Sequence, residues 1–98
     1  MKKLKDIKNI LKQCKNEIKI KFKVKKIGVF GSYVRNAQEK KSDIDILVDF
    51  YGDGINLFEF LELKEYLEKN IGVKVDLVTK AALKPVMGKY IMKEVVFI

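Results

Sequence analysis

Two short stretches decide the fold of this chain: GSYVR at residues 31–35 and SDID at residues 42–45. The first leaves a short apolar run through a Gly-Ser turn, and the second opens another apolar run with two aspartates. Side chains alternate along a strand, so Asp43 and Asp45 point to the same face. A glycine turn lets the backbone approach a phosphate closely, and paired carboxylates suit a divalent cation. The two stretches together therefore indicate a phosphate and metal site, whereas the aspartate pair alone also fits a solvated strand face near a sheet edge.

The hydrophobic periodicity predicts an α/β (α+β) fold, with helices flanking a small mixed sheet of three to four strands in the order α-β-α-β-α-β-α. The expected helices cover residues 3–18, 33–38, 56–70 and 85–95, and the expected strands cover 27–30, 43–50 and 73–79. The second long helix should face inward with Leu57, Phe60, Leu61 and Leu67. For the two stretches to share a site, the first two strands must be antiparallel neighbours. A helical crossover makes the second and third strands parallel.

Length and charge set further bounds. The 98 residues suit a single domain over 1–98, and the formal net charge is +8. Residues 1–26 hold 11 lysines against Asp6 and Glu17, so the positive surplus lies in the N-terminal segment. That surplus fits either a basic patch for RNA or an acidic protein, or the solvated face of a helix.

Several site classes are excluded or not expected. The chain has no histidine, which excludes histidine-based triads, and the lone Cys14 allows no internal disulfide. We expect Cys14 to be a core residue, zinc to be absent, and the protein to work in a reducing, cytoplasmic compartment. No apolar run approaches 18 residues, so neither a membrane span nor a signal peptide is expected.

A third aspartate strengthens the metal interpretation. Asp76 interrupts an apolar run in the third predicted strand and should lie level with Asp45 on the parallel neighbour. A charge there is costly unless it is paired or bound to metal. The alternative is a salt bridge to Lys74 or Arg35. Three carboxylates from two strands could hold two ions about 4 Å apart, an arrangement that activates an attacking oxygen.

The Gly31-Ser32 turn has its own chemistry. The backbone after Gly31 can offer free N–H groups to a phosphate, and the Ser32 hydroxyl adds a donor. Arg35 could reach a phosphate oxygen or pair with an aspartate.

These residues resemble the nucleotidyltransferase superfamily that includes DNA polymerase beta, and within it the minimal, MntA-like nucleotidyltransferases. The resemblance covers residues 24–98 and leaves the N-terminal helix less marked. The matching segments are Phe30–Arg35, Ser42–Val48, Val75–Val78, Leu83–Pro85 and Ile91–Glu94.

The resemblance implies a nucleotidyltransferase fold and a protein adenylyltransferase activity. Gly31, Ser32, Arg35 and Ser42 would bind the nucleotide. The three aspartates (Asp43, Asp45 and Asp76) would be catalytic and would bind Mg²⁺, as two ions, with Mn²⁺ as a substitute. Such proteins are antitoxins that silence a HEPN-domain ribonuclease, encoded by an adjacent gene, by moving AMP from ATP onto a tyrosine.

One residue departs from the family pattern, and two alternatives stay open. Asn36 stands where the family has glycine, and asparagine tolerates left-handed backbone better than most residues. The chain could instead be an antitoxin that acts by binding alone, or a nucleotidyltransferase acting on RNA or a small molecule.

Overall fold

The fold is a four-stranded mixed sheet with helices packed on it, and the computed structural model describes residues 2–98. In chain order the elements are α1 (Leu4–Phe22), β1 (Val24–Phe30), a 3₁₀ turn (Gly31–Tyr33), β2 (Ile44–Phe50), α2 (Leu57–Ile71), β3 (Val75–Thr79), a second 3₁₀ turn (Lys80–Ala82), α3 (Pro85–Glu94) and β4 (Val96–Phe97). The predicted fold class is confirmed. Within the described part of the chain, no helix is both long and apolar enough to cross a membrane.

The strand order is β3-β2-β1-β4. β1 and β2 are antiparallel, whereas β2 and β3 are parallel and are joined through α2, as the sequence predicts. The sequence does not predict β4 individually, and this strand pairs antiparallel with β1 at the far edge. The sheet therefore brings the C-terminal end of β1 and the N-terminal ends of β2 and β3 together at the same end of the sheet.

The core lies between the sheet and helices α1 and α2. The apolar stripe of α1 and the alternate residues of β2, which have no exposed surface, belong to one buried cluster. Burying one such side chain contributes about 1.5–3 kcal/mol. The buried stripe of α1 is Ile7, Leu11, Cys14, Ile18 and Phe22, and the inward residues of β2 are Ile44, Ile46 and Val48. Cys14 is thus a core residue, as predicted.

The first helix and strand differ from the predicted bounds. α1 continues four residues beyond the predicted end, because Phe22 extends the buried stripe by one turn and Lys23, with a φ of 57°, ends the helix in left-handed conformation. Ile20 is 81% exposed on the outer face. Residues 20–22 therefore form the last turn of α1, and β1 begins at Val24.

The helix predicted over residues 33–38 is instead the single 3₁₀ turn at Gly31–Tyr33, followed by a turn at residues 34–36. Asn36 adopts a φ of 55°, which interrupts any helix at that point. Asn36 thus occupies the left-handed region that asparagine tolerates better than most residues.

Helix α2 has the predicted caps but a different inner face. Asn56 accepts a hydrogen bond from the Glu59 amide at 2.8 Å, and Gly72 ends the helix with a φ of 81°. The prediction that Leu57 and Leu61 face inward is wrong, because they are 69% and 47% exposed. Phe60 and Leu67 do pack on the core, where the buried stripe continues through Leu63, Leu67 and Ile71.

Candidate active site

The parallel register of β2 and β3 places two carboxylates side by side. Asp45 pairs with Asp76 across this ladder, and on its other side Asp45 pairs with Phe30 at the end of β1. Both aspartates lie on the face opposite Ile44 and Ile46. The register predicted for Asp45 and Asp76 is therefore confirmed.

Burial and the neighbouring carboxylates raise the pKa of Asp45. Burial of this half-buried side chain raises its pKa from 3.8 to about 6, helped by the negative charge of Asp76 and a hydrogen bond with it. The positive charge of Arg35 opposes this shift, and Asp43 adds to it weakly. A cation between the carboxylates would relieve the repulsion.

Asp43 lies immediately before β2 and is exposed. The negative charge of Asp43 helps to raise the pKa of Asp45. The pKa of Tyr33 is also raised, mainly by burial and secondly by the charge of Asp43. No three acidic or cysteine side chains in residues 2–98 are arranged to hold a metal ion by themselves. The donor set still consists of hard carboxylate oxygens, which suit Mg²⁺ when phosphate or water oxygens complete the shell.

The Gly-Ser turn packs directly against the Asp45 carboxylate. Gly31 has a φ of 79°, and a Cβ at this position would lie 2.0 Å from Asp45 Oδ2. Only glycine fits both requirements. The Gly31 carbonyl accepts from the amides of Val34 and Arg35 at 3.1 and 3.2 Å, so these two amides are already used within the turn.

Arg35 pairs with Glu94 at the end of α3 and not with an aspartate. The second Glu94 oxygen accepts a hydrogen bond from the Gly31 amide at 2.9 Å. Within residues 2–98 neither Arg35 nor Lys74 forms a salt bridge with Asp76, so that alternative is not realised. Sequence reasoning missed Glu94, since no local pattern links it to a turn 63 positions away.

Ser42 closes the turn that leads into β2. Its hydroxyl oxygen accepts from the Glu39 amide at 2.8 Å, and its own amide donates to the Glu39 carbonyl at 3.0 Å. The structure thus brings Gly31, Arg35, Asp45 and Asp76 together and places Ser42 two residues before the strand that carries Asp45.

This chain is similar to known proteins in sequence and in fold. The nucleotidyltransferase domain family matches residues 11–98. The protein adenylyltransferase MntA of Thermococcus cleftensis is 47% identical over 95 residues, which are 97% of this chain and 95% of that protein.

Two solved structures show the same architecture. A toxin–antitoxin with AMP-PNP is 26% identical with a TM-score of 0.70, and the match covers 95% of this chain and 69% of that chain. A tri-AMPylated Shewanella oneidensis HEPN toxin in complex with MNT antitoxin gives 25% identity and a TM-score of 0.65, over 94% of this chain and 67% of that chain. The family match and the near-complete overlap with MntA show that this chain belongs to the nucleotidyltransferase family, in its minimal MntA-like branch, and confirm the predicted enzyme class.

Proposed function

We propose that this protein transfers AMP from ATP to a tyrosine hydroxyl of a HEPN-domain toxin, encoded by an adjacent gene, and so acts as its antitoxin. The observation that carries the proposal is the pairing of Asp45 with Asp76 beside the Gly31 turn. The likeness to MntA and to the AMP-PNP and AMPylated-toxin structures supports ATP as substrate and a HEPN protein as acceptor.

In this proposal the Gly-Ser turn holds the triphosphate. Gly31 allows close approach of the backbone, and Ser32 supplies a hydroxyl donor. Arg35 binds a phosphate oxygen with the guanidinium nitrogens that do not contact Glu94. Ser42 completes the nucleotide site by shaping the turn that precedes Asp43.

Asp43, Asp45 and Asp76 would hold Mg²⁺, as two ions, and Mn²⁺ could replace it. Bound Mg²⁺ neutralises charge on the triphosphate and makes the acceptor hydroxyl easier to deprotonate. The raised pKa of Asp45 fits this role, because burial and the negative charge of Asp76 disfavour the ionised carboxylate, and a bound cation would favour it.

The transfer needs no covalent enzyme intermediate. The acceptor oxygen forms a bond to the α-phosphorus of ATP, while the bond from that phosphorus to the bridging oxygen breaks. Pyrophosphate leaves with the bonding electron pair, and the hydroxyl proton passes to Asp76. The chain contributes by positioning the reactants and balancing charge.

The test is incubation with α-labelled ATP and Mg²⁺, with and without the product of the adjacent gene. Asp43→Asn/Asp45→Asn serves as the inactive variant. We expect label on a tyrosine of the partner, dependent on Mg²⁺ and absent with the variant.

Other outcomes point elsewhere. A stable complex without label would contradict the catalytic proposal for that partner and favour an antitoxin that acts by binding. Label on RNA, together with steeply salt-dependent RNA binding, would favour an RNA acceptor instead.

A further inference from the structure

The carboxylate of Glu94 connects the end of α3 to the Gly-Ser turn. Oε2 accepts from the Gly31 amide at 2.9 Å, and Oε1 pairs with the Arg35 guanidinium. Both partners are residues that the proposed function assigns to the triphosphate. We propose that Glu94 is a positioning residue that holds Gly31 and Arg35 in the geometry that binds the triphosphate. This inference rests on the proposed function.

Glu94 is the fixed member of its ion pair. Its side chain is 22% exposed, against 60% for Arg35. β4 begins two residues after Glu94 and pairs with β1. A Cβ at Gly28 of β1 would lie 2.6 Å from the Val95 side chain, so the chain next to Glu94 packs tightly on β1. Glu94 is therefore anchored to the sheet that carries the site.

Arg35 gains a preferred orientation from this contact. An exposed arginine samples many rotamers, and fixing it only when the nucleotide binds would weaken affinity. Glu94 engages one terminal nitrogen, Nη1. The guanidinium has five donors in a planar fork, so its remaining donors can face a phosphate.

Gly31 lies where the backbone of the turn packs closely on Asp45. Its α-carbon abuts the Asp45 carboxylate so closely that no side chain fits there. The bond from the Gly31 amide to Glu94 therefore fixes the turn relative to Asp45. Loss of that bond would let the phosphate-binding turn shift relative to the carboxylates.

The test is calorimetric binding of AMP-PNP with Mg²⁺ to the wild type, Glu94→Ala, Arg35→Ala and the double variant. We expect Glu94→Ala to weaken binding about tenfold, as for loss of a charge-assisted contact. Because Glu94 acts partly through Arg35, the double variant should lose clearly less than the product of the two single losses. Glu62→Ala, which removes an exposed helical glutamate, should leave binding unchanged.

Glu94→Gln keeps an acceptor for the Gly31 amide and loses only the charge, so binding should fall between wild type and Glu94→Ala. This variant decides the question if Glu94→Ala unfolds. Unchanged or tighter binding in the folded Glu94 variants would overturn the proposal, and tighter binding would mean that the carboxylate competes with phosphate. Fully independent losses in the double variant would also overturn it. A failure of wild-type AMP transfer would contradict the proposed function yet leave this binding test readable.

Discussion

On one face of strand β2, Ile44, Ile46 and Val48 are fully buried under α1 and α2, whereas on the other face Asp45 lies half-exposed beside Asp76. The first face gains free energy by removing apolar surface from water. On the second face, burial and the negative charge of Asp76 raise the pKa of Asp45. Around Ile44, Asp45 and Ile46, opposite faces of the strand thus carry the stabilising side chains and the proposed chemistry, although Leu47 on the aspartate face is buried too. Variants of Asp45 and of Ile46 should therefore have opposite signatures.

The largest effect is expected from Asp43→Asn/Asp45→Asn on the carboxylate face. Charge stabilisation of several kcal/mol would be lost, so AMP transfer should fall about a thousandfold or more. The measurement is the initial rate of label transfer, with circular dichroism as a check on folding. Transfer above a tenth of the wild-type rate by a folded variant would contradict the division between the faces.

Ile46→Ala tests the buried face. Removing this fully buried side chain leaves a cavity, and the free energy of unfolding should fall by about 3 kcal/mol. Urea unfolding measures the loss. Leu57→Ala is the matched control, since Leu57 is 69% exposed and should change stability by less than about 0.5 kcal/mol. Nucleotide binding per folded molecule should stay near wild type in both, and a loss in Ile46→Ala would show that the faces are coupled.

Gly31→Ala tests the turn where the carboxylate face meets backbone. The new Cβ would meet Asp45 Oδ2 at 2.0 Å and would also occupy a left-handed position. We expect a loss of about 2 kcal/mol in unfolding free energy and at least about tenfold weaker nucleotide binding. Thermal unfolding and calorimetry give the two values.

Gly52→Ala separates the two causes. Gly52 has a φ of 59°, and a Cβ added there would meet no atom of residues 2–98 within 4 Å, so only backbone strain of about 1 kcal/mol applies. Equal effects of the two variants on nucleotide binding would show that contact with Asp45 is not what requires glycine at position 31.

The sequence predicts the parts of this fold that depend on local periodicity. The stripe through Leu11 and Ile18 identifies α1, and alternation about Asp45 identifies β2 and its two faces. The antiparallel pairing of β1 and β2 follows from the requirement that Gly31 and the aspartates share a site. The parallel pairing of β2 and β3 follows from the helical crossover between them.

The sequence-based predictions are wrong or incomplete where contacts between residues distant in the sequence determine the structure. α2 has apolar residues around much of its surface, so the packed face is chosen by contact with the sheet, and Leu57 and Leu61 are left outside. β4 has two residues, too few for a periodic signal. The Glu94 contact with Gly31 joins the end of α3 to the turn after β1, 63 positions apart in the sequence, and no local pattern predicts it.

The smallest effect we predict is a gain in stability from Asp45→Asn. The folded pKa of Asp45 is raised to about 6 from 3.8, so the folded state binds its proton more tightly than the unfolded state does. Wild-type stability from this group is therefore fully present below pH about 4 and is lost as pH rises through about 6. Asparagine avoids that loss. Water screens this half-exposed group, so the gain at pH 7 should be on the order of 1 kcal/mol.

The comparison uses urea unfolding of wild type and Asp45→Asn in EDTA at several pH values. The difference in unfolding free energy should vanish near pH 4, grow between pH 4 and 6, and stay constant above. Added Mg²⁺ should stabilise the wild type more than the variant, because only the wild type keeps this carboxylate ligand. Asp45→Asn could instead be less stable than the wild type at pH 7, or the difference in unfolding free energy could grow as the pH falls. Either result would mean that the Asp45 carboxylate contributes to stability and that the two faces of β2 are not divided as the structure indicates.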